Sequence, residues 1–317
     1  PSRGLGDVYK RQIGSHLAEF CVAEGLDVIA FDRYNSNNNW GWLEESKYKS
    51  DMEIILGDIR DFDAVSHVME GCDVVFHLAA LIGIPYSYIS PLAYIRTNIE
   101  GTYNILEASK KQSIQQLLIT STSETYGTAQ YTPIDEHHPL IGQSPYSASK
   151  IAADHLALSY YRSFELPIKI VRPFNTYGPR QSSRAIIPTI ITQIFSGSNE
   201  LTLGNIDPTR DLTFVKDTCA AFLSIYQSDN LFGEVTNVGM NSEISIRDLA
   251  KQIMILTEKN ISIESEKRRI RPKNSEVERL VCSNKKLLDS CSWNPSYNLE
   301  KGLKAVTYTH LTLPTKA

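Results

Sequence analysis

The apolar run Leu117 to Ile119 is followed at once by five residues with side-chain oxygens, Thr120, Ser121, Thr122, Ser123 and Glu124. A short continuous apolar run of this kind predicts a strand buried on both faces, as in a parallel sheet covered by helices. Ligands of open α/β sheets lie outside the carboxyl ends of the strands, so these hydroxyls and the carboxylate stand where reactive groups collect. Further on, Ser144 and Pro145 are a good N-cap and first helical residue. The helix they open carries Tyr146 and Lys150, whose spacing puts them one turn apart on one face.

A free tyrosine has a pKa near ~10 and is a weak base at neutral pH. A lysine ammonium and a cationic nicotinamide beside it favour the phenolate and suit it to general acid–base work. A Y-x-x-x-K also arises by chance on partly exposed helices; Thr122 and Glu124 at the preceding strand end weigh towards chemistry. The sequence strand–T-S-T-S-E-T-Y-G–loop–S-P-Y-S-A-S-K resembles the extended short-chain dehydrogenase/reductases, the NAD-dependent epimerase/dehydratase family, which modify nucleotide-linked sugars. The resemblance runs from about Ile13 to Ala305. It implies an α/β fold: a Rossmann-type doubly wound parallel sheet with a smaller C-terminal α/β substrate domain. The implied NAD-binding domain is 13–178, rejoined at about 212–240, with 179–211 and 241–305 forming the substrate domain.

A net charge of −4 gives no reason to expect nucleic acid or an anionic membrane as partner. The apolar stretch Val74 to Ile84 is too short to span a bilayer and contains His77, which reads as a core histidine. The five cysteines are odd in number and form no C-x-x-C, which suggests neither a disulfide framework nor a metal site and fits a reducing cytoplasm.

Both ends read as foreign to the rest. Residues 1–12 show no strand period and 306–317 break a helical pattern, so the first strand and most of the glycine loop are expected to be missing. In the family the turn is G-x-x-G-x-x-G; Gly14 fits its last glycine, while Val8 and Arg11 fall at the earlier two. Asp32 closes the next strand, D-V-I-A-F-D-R, at a spacing suited to the adenosine ribose hydroxyls, which favours NAD over NADP. A loop-capping aspartate is the alternative there. The resemblance places Asp58 and Ile59 of G-D-I-R-D at the adenine and Ala79 and Ala80 where backbone approaches the cofactor. Asn98 corresponds to a helical asparagine near the nicotinamide, with core hydrogen bonding an equal contender; Tyr146 and Lys150 also contact the cofactor in the family. The helices carrying Asn98 and Tyr146 are the pair that family members use to form a homodimer.

In the substrate half, Asn175 of P-F-N-T-Y-G-P-R matches an asparagine that faces the sugar nucleotide, with a turn-forming role as the alternative. Arg184, Arg210 and Arg271 are candidates for a diphosphate, because a planar guanidinium donates two parallel hydrogen bonds. K-R-R-I-R-P-K reads equally as a solvated basic loop. Glu278 is a candidate for the nucleoside ribose.

The triplet Thr122-Ser123-Glu124 bears on the reaction. Family 4-epimerases usually have Ser or Thr at the third position, whereas dTDP-glucose 4,6-dehydratases have Thr-Asp-Glu. The present triplet occurs in UDP-glucuronate decarboxylases and in the UDP-N-acetylglucosamine 4,6-dehydratases of legionaminic acid synthesis. H-L-A-A-L-I-G-I-P-Y-S-Y and G-P-R-Q-S-S-R-A-I-I-P-T-I-I-T-Q-I lean to the latter. The resemblance implies NAD as cofactor, a UDP-sugar as substrate, no metal, Tyr146, Lys150 and Thr122 acting at C4, and Glu124 with Ser123 at C5 and C6. A binding protein that turns nothing over stays open for a chain with a damaged phosphate loop.

Overall fold

The computed structural model describes residues 3–7, 12–266 and 271–312. The chain begins with β1 (Arg3–Asp7), α1 (Gln12–Ala23), β2 (Asp27–Arg33), β3 (Met52–Gly57), α2 (Phe62–Val68) and β4 (Val74–His77). Short helices α3 (Ile84–Ile89) and α4 (Pro91–Tyr94) precede a π-helical turn over Ile95–Glu100, which continues as α5 (Gly101–Lys111). Then come β5 (Gln116–Thr120), α6 (Pro145–Phe164), β6 (Ile168–Pro173), β7 (Asn175–Tyr177), α7 (Ile186–Phe195), β8 (Glu200–Leu203) and β9 (Thr209–Phe214). The remainder is α8 (Val215–Gln227), β10 (Val235–Val238), β11 (Glu243–Ser245), α9 (Ile246–Leu256), β12 (Ser262–Ser265), α10 (Lys285–Ser290) and α11 (Leu299–Thr312).

The main sheet is parallel, in the order β10-β6-β5-β4-β1-β2-β3. The order reverses at β1, so a crevice opens beyond the carboxyl ends of β1 and β4. Alternate strand residues face opposite sides. Val74, Phe76 and Leu118 pack with Leu17 of α1 and Phe222 of α8, while Val75, Leu117 and Ile119 pack with Val65, Ile105 and Ala157 of α2, α5 and α6. Burial on both sides explains why β4 and β5 read as unbroken apolar runs. A third core joins Ile187 and Ile190 of α7 to Leu249 and Ile253 of α9 and Leu303 of α11, beside the smaller sheets β11-β9-β7 and β12-β8.

Two observations concern the ends. An extended segment fills the place of the first strand: Arg3–Asp7 lies between β2 and β4, with Leu5 opposite both Ile29 and Val75. A parallel ladder is made of backbone groups, so an extended segment without strand periodicity can still close the gap. The glycine-loop positions Val8 and Arg11 lie outside the described residues. At the other end, α11 continues to Thr312 and Val306 is buried in the third core. Once nucleated, a helix gains one hydrogen bond per added residue and outlasts its apolar pattern.

α6 starts as its sequence dictates. Ser144 and Ser147 cap each other, with Ser147 N donating to Ser144 Oγ (3.1 Å) and Ser144 N to Ser147 Oγ (3.0 Å). Below its first turns, Arg172 of β6 and Asp154 of α6 form an ion pair of 2.7 Å with both side chains 2% exposed. Ser121 Oγ donates to the same carboxylate (2.5 Å), and Arg172 Nε donates to Ser121 Oγ (3.3 Å). Asp154→Ala strands a buried guanidinium and should cost about 3–5 kcal/mol, read as a lower urea midpoint at unchanged slope.

Candidate active site

Lys150 Nζ donates to Thr120 O at the carboxyl end of β5 (2.6 Å), which ties α6 to the strand end. Tyr146, one turn earlier, is buried and meets the Tyr94 ring edge-on, centroids 6.2 Å apart. Beyond β5 the chain turns into a 3₁₀ helix, Ser123–Tyr126, capped by Thr122 Oγ1, which accepts from Glu124 N (3.3 Å). This turn buries Ser123 and Glu124. Tyr126 closes it underneath: its ring lies 4.7 Å from the Arg172 guanidinium and its hydroxyl donates to Asn237 Oδ1 (2.8 Å). Burial pushes the Tyr126 pKa up to about 12, which keeps it a neutral donor. Thr122, Ser123, Glu124, Tyr146 and Lys150 are thus gathered where β5 meets the start of α6.

The cofactor candidates lie along the same sheet edge. Asp32 is buried at the end of β2, its Oδ1 accepting from Arg33 N (2.6 Å). Ala79 and Ala80 are buried just past β4, and Gly14 is buried in α1. Ile59 packs against Gly101, where an added Cβ would come within 2.5 Å of its Cδ1. Asp58 is gripped by Arg60, whose Nε and Nη2 reach its carboxylate at 2.9 and 2.5 Å; this hydrogen bonding holds its pKa down. Asp58, Arg60, Asp61, Arg96 and Glu100 line an open cleft. Asn98 is fully buried in the π-helical turn. Its Oδ1 accepts from Leu81 N (2.8 Å), and its Nδ2 donates to Leu81 O (3.0 Å) and Ser149 Oγ (2.9 Å). It therefore fastens the segment after β4 to the helix carrying Tyr146.

The substrate candidates divide. Arg210 is buried on β9, with Nη1 donating to Thr209 O (2.8 Å) and Nη2 to Glu276 Oε1 (3.4 Å). Burial pulls its pKa down against the opposing pull of the Glu124 and Glu276 carboxylates, so Glu124 and Arg210 share one electrostatic environment. Arg271 Nη1 lies 3.6 Å from the same Glu276 oxygen and makes no hydrogen bond among the described residues. Asn175 Oδ1 is likewise buried without a hydrogen-bond partner among them, on β7 opposite Leu212 of β9. Arg184 is exposed just before α7, and Glu278 is exposed. Glu276, which the sequence reading passed over, is the carboxylate that faces both arginines.

The family model described as GDP-mannose 4,6 dehydratase matches residues 10–306. The chain belongs to that family. It is 34% identical to a dTDP-D-glucose 4,6-dehydratase from Dictyostelium discoideum over 79% of this chain, and spans 60% of that relative's length. It is 32% identical to a UDP-N-acetyl-alpha-D-glucosaminuronate decarboxylase from Bacillus cytotoxicus, covering 92% of each chain. Among solved structures, the UDP-glucuronic acid 4-epimerase from Bacillus cereus in complex with UDP-glucuronic acid and NAD superposes with TM-score 0.87 at 27% identity, covering 98% of this chain and 99% of that one. The family thus includes dehydratases, decarboxylases and epimerases of nucleotide sugars on one scaffold. Among the described residues no helix is long and apolar enough to cross a membrane, and no group of three His, Cys, Asp or Glu could hold a metal ion.

Within the field of Lys150, His77 at the end of β4 is buried with Nε2 3.0 Å from Thr102 Oγ1. Thr102 spends its own proton on Asn98 O (2.7 Å), so Nε2 carries the imidazole hydrogen. Burial, with the nearby Lys150 charge, lowers the His77 pKa from 6.5 to about 3. A depressed folded-state pKa stabilises above the unfolded value and is lost as pH falls. His77→Gln should therefore flatten the loss of stability between pH 6.5 and about 3, read from urea midpoints across that range.

Proposed function

We propose that this chain catalyses NAD-dependent 4,6-dehydration of UDP-N-acetylglucosamine to UDP-2-acetamido-4-keto-2,6-dideoxyglucose. The observation that carries the reading is the carboxylate of Glu124, buried in the turn that follows β5, beside Thr122 and within the field of Arg210. A base at that point is needed when a proton leaves carbon after the alcohol has been oxidised; moving hydride at C4 alone does not require it.

The residues present fit NAD. Asp32 suits the adenosine ribose, Asp58 and Ile59 border the adenine, and buried Ala79 and Ala80 let the backbone come close at the crevice where strand order reverses. Gly14 sits in the helix that follows β1, Asn98 holds the segment after β4, and the Bacillus cereus neighbour carries NAD. Bound there, NAD supplies reversible oxidation at the sugar C4 and the matching reduction at C6.

Within that frame Tyr146, as phenolate, takes the proton of the C4 hydroxyl. Lys150, anchored on Thr120 O, keeps a positive charge beside it, and Thr122 hydrogen-bonds the same sugar oxygen. The 4-ketone acidifies the C5 proton. Glu124 removes it and passes it, with Ser123 as relay, to the C6 hydroxyl, which leaves as water. When C6 is reduced, C5 regains a proton, balanced by the one Tyr146 took from the C4 hydroxyl. Arg210 and Arg271 bind the diphosphate in place of Glu276, Asn175 offers the sugar nucleotide an oxygen that has no hydrogen-bond partner among the described residues, and exposed Arg184 adds a further guanidinium. Glu278, the candidate for the nucleoside ribose, is exposed, and its backbone N donates to Thr128 Oγ1.

The decarboxylase relative at 92% coverage favours a second reading, loss of carbon dioxide from a UDP-linked uronate. Mass spectrometry of a mixture of UDP-N-acetylglucosamine and UDP-glucuronate with NAD separates them: loss of one water supports the dehydratase and loss of carbon dioxide the decarboxylase. Reaction of neither sugar points to a binding protein. Glu124→Gln should lower the water-loss rate about 10²–10⁴-fold while nucleotide-sugar affinity holds within a few fold; wild-type elimination would remove Glu124 from the mechanism. A homodimer through α5 and α6 is supported by exposed Ile95, Tyr103 and Phe164. Sedimentation should give twice the 35.6 kDa chain mass, and a monomer would overturn this pairing.

A further inference from the structure

The segment that carries Arg271 and Glu276 is held to the start of the catalytic helix by a compact set of hydrogen bonds. Gln143 immediately precedes Ser144, the N-cap of α6. Its Oε1 accepts from Thr128 N (2.6 Å), and its Nε2 donates to Asn274 O (3.1 Å) and Glu276 O (3.4 Å). Its own carbonyl accepts from Ser275 Oγ (2.6 Å), which lies 2.5 Å from the Tyr88 hydroxyl of α3. Thr128 Oγ1 adds a bond to Glu276 O (3.4 Å) and accepts from Glu278 N (3.2 Å). Gly127 is what lets Gln143 in: at φ +65°, an added Cβ would stand 2.6 Å from Gln143 Oε1 and 2.9 Å from Ile141 O. Helix start, post-β5 loop and arginine-bearing segment therefore share one side chain.

We propose that Gln143 is a positioning residue that passes the seating of a nucleoside diphosphate at Arg210 and Arg271 to the first turn of α6, and so to Tyr146. This rests on the nucleotide-sugar reading above. A diphosphate that takes both guanidiniums must displace the Glu276 carboxylate from them, and because Glu276 is buried at 9% exposure the displaced carboxylate presses on its own backbone. That backbone is tied to Gln143, one residue from the cap that fixes where Tyr146 stands. Ser275 and Tyr88 keep the tie in register from the other side. An isolated surface glutamine would have no effect on a helix whose cap, Ser144 with Ser147, is complete without it.

The test uses the full chain with UDP and dTDP as probes, so turnover is not required. In the wild type, either diphosphate should slow amide hydrogen exchange across residues 145–150. In Gln143→Ala, affinity should fall about 3–30-fold, the worth of one or two hydrogen bonds, and the exchange response should vanish even at saturation. Ser275→Ala should give a partial loss, and the double variant should cost less than the sum of the singles, as coupled groups do. A Gln143→Ala chain that binds UDP normally, or whose helix still responds at saturation, overturns the proposal. If wild-type chain binds neither UDP nor dTDP, the nucleotide-sugar reading fails and this one falls with it; binding without a helix response defeats the coupling alone.

Discussion

A guanidinium with 2% of its side chain exposed exists only because something beside it is negative, and for Arg172 that is Asp154. The pair joins a strand to a helix that otherwise meet through apolar contacts, which tolerate sliding by a fraction of a turn. Charge and direction do not tolerate it. Through Ser121 the same carboxylate reaches the residue where β5 ends, and through the Tyr126 ring the same guanidinium supports the turn that buries Glu124. Lys150 lies one helical turn before Asp154 and anchors on Thr120, so the helix is fastened twice to one strand end. The geometry of Thr122, Glu124 and Tyr146 follows from these two fastenings.

The substrate lobe is fixed by a related device. Neighbouring residues of β9 face opposite ways, which sends Arg210 to the site and Asp211 inward. Asp211 is fully buried and accepts from Met240 N (2.8 Å), Cys282 N (3.0 Å) and Ser242 N (3.3 Å). Burial raises its pKa to about 6 against the lowering effect of those amides. Gly239 is needed beside it, since a Cβ there would come within 2.3 Å of Cys282 Cβ. The adjacent arginine thereby inherits a rigid base from a residue whose carboxylate is spent on backbone amides.

Much of this was legible because it is local. β5, the capping serines, the Tyr146–Lys150 spacing and the doubly buried strands each follow from a few consecutive residues. What escaped depends on contacts distant in the chain. Nothing near Glu276 distinguishes it from Glu278; the choice is made by Arg210, 66 residues away. Asn98 reads as a cofactor residue or a core residue, and only its bonds to Leu81 and Ser149 show how much of its amide the protein already uses. Arg172 did leave a signal, a charged residue inside a strand otherwise bound to be buried, which demands a buried partner. β1 left none, for the opposite reason: backbone pairing in the centre of a sheet can be satisfied by a segment with little periodicity of its own.

The same scaffold in this family serves dehydration, decarboxylation and epimerisation, and the physical division between them is narrow. Oxidation at C4 asks for a proton acceptor beside that oxygen, the part that the proposed reading gives to Tyr146 on its braced helix. The outcome is then decided at C5 and C6. A carboxylate there takes a carbon-bound proton, whereas a site occupied by a hydroxyl can only support the ketone until it is reduced again. In the proposed reading Ser123 sets this chain apart from the Thr-Asp-Glu dehydratases, because a buried serine has no proton to lend unless it receives one. Ser123 is 2% exposed, so water does not readily reload it, and the remaining neighbouring carboxyl in the triplet is Glu124. One residue would then both remove the C5 proton and return it to the departing hydroxyl. That is consistent only if proton loss and water loss occur on the same face of the sugar.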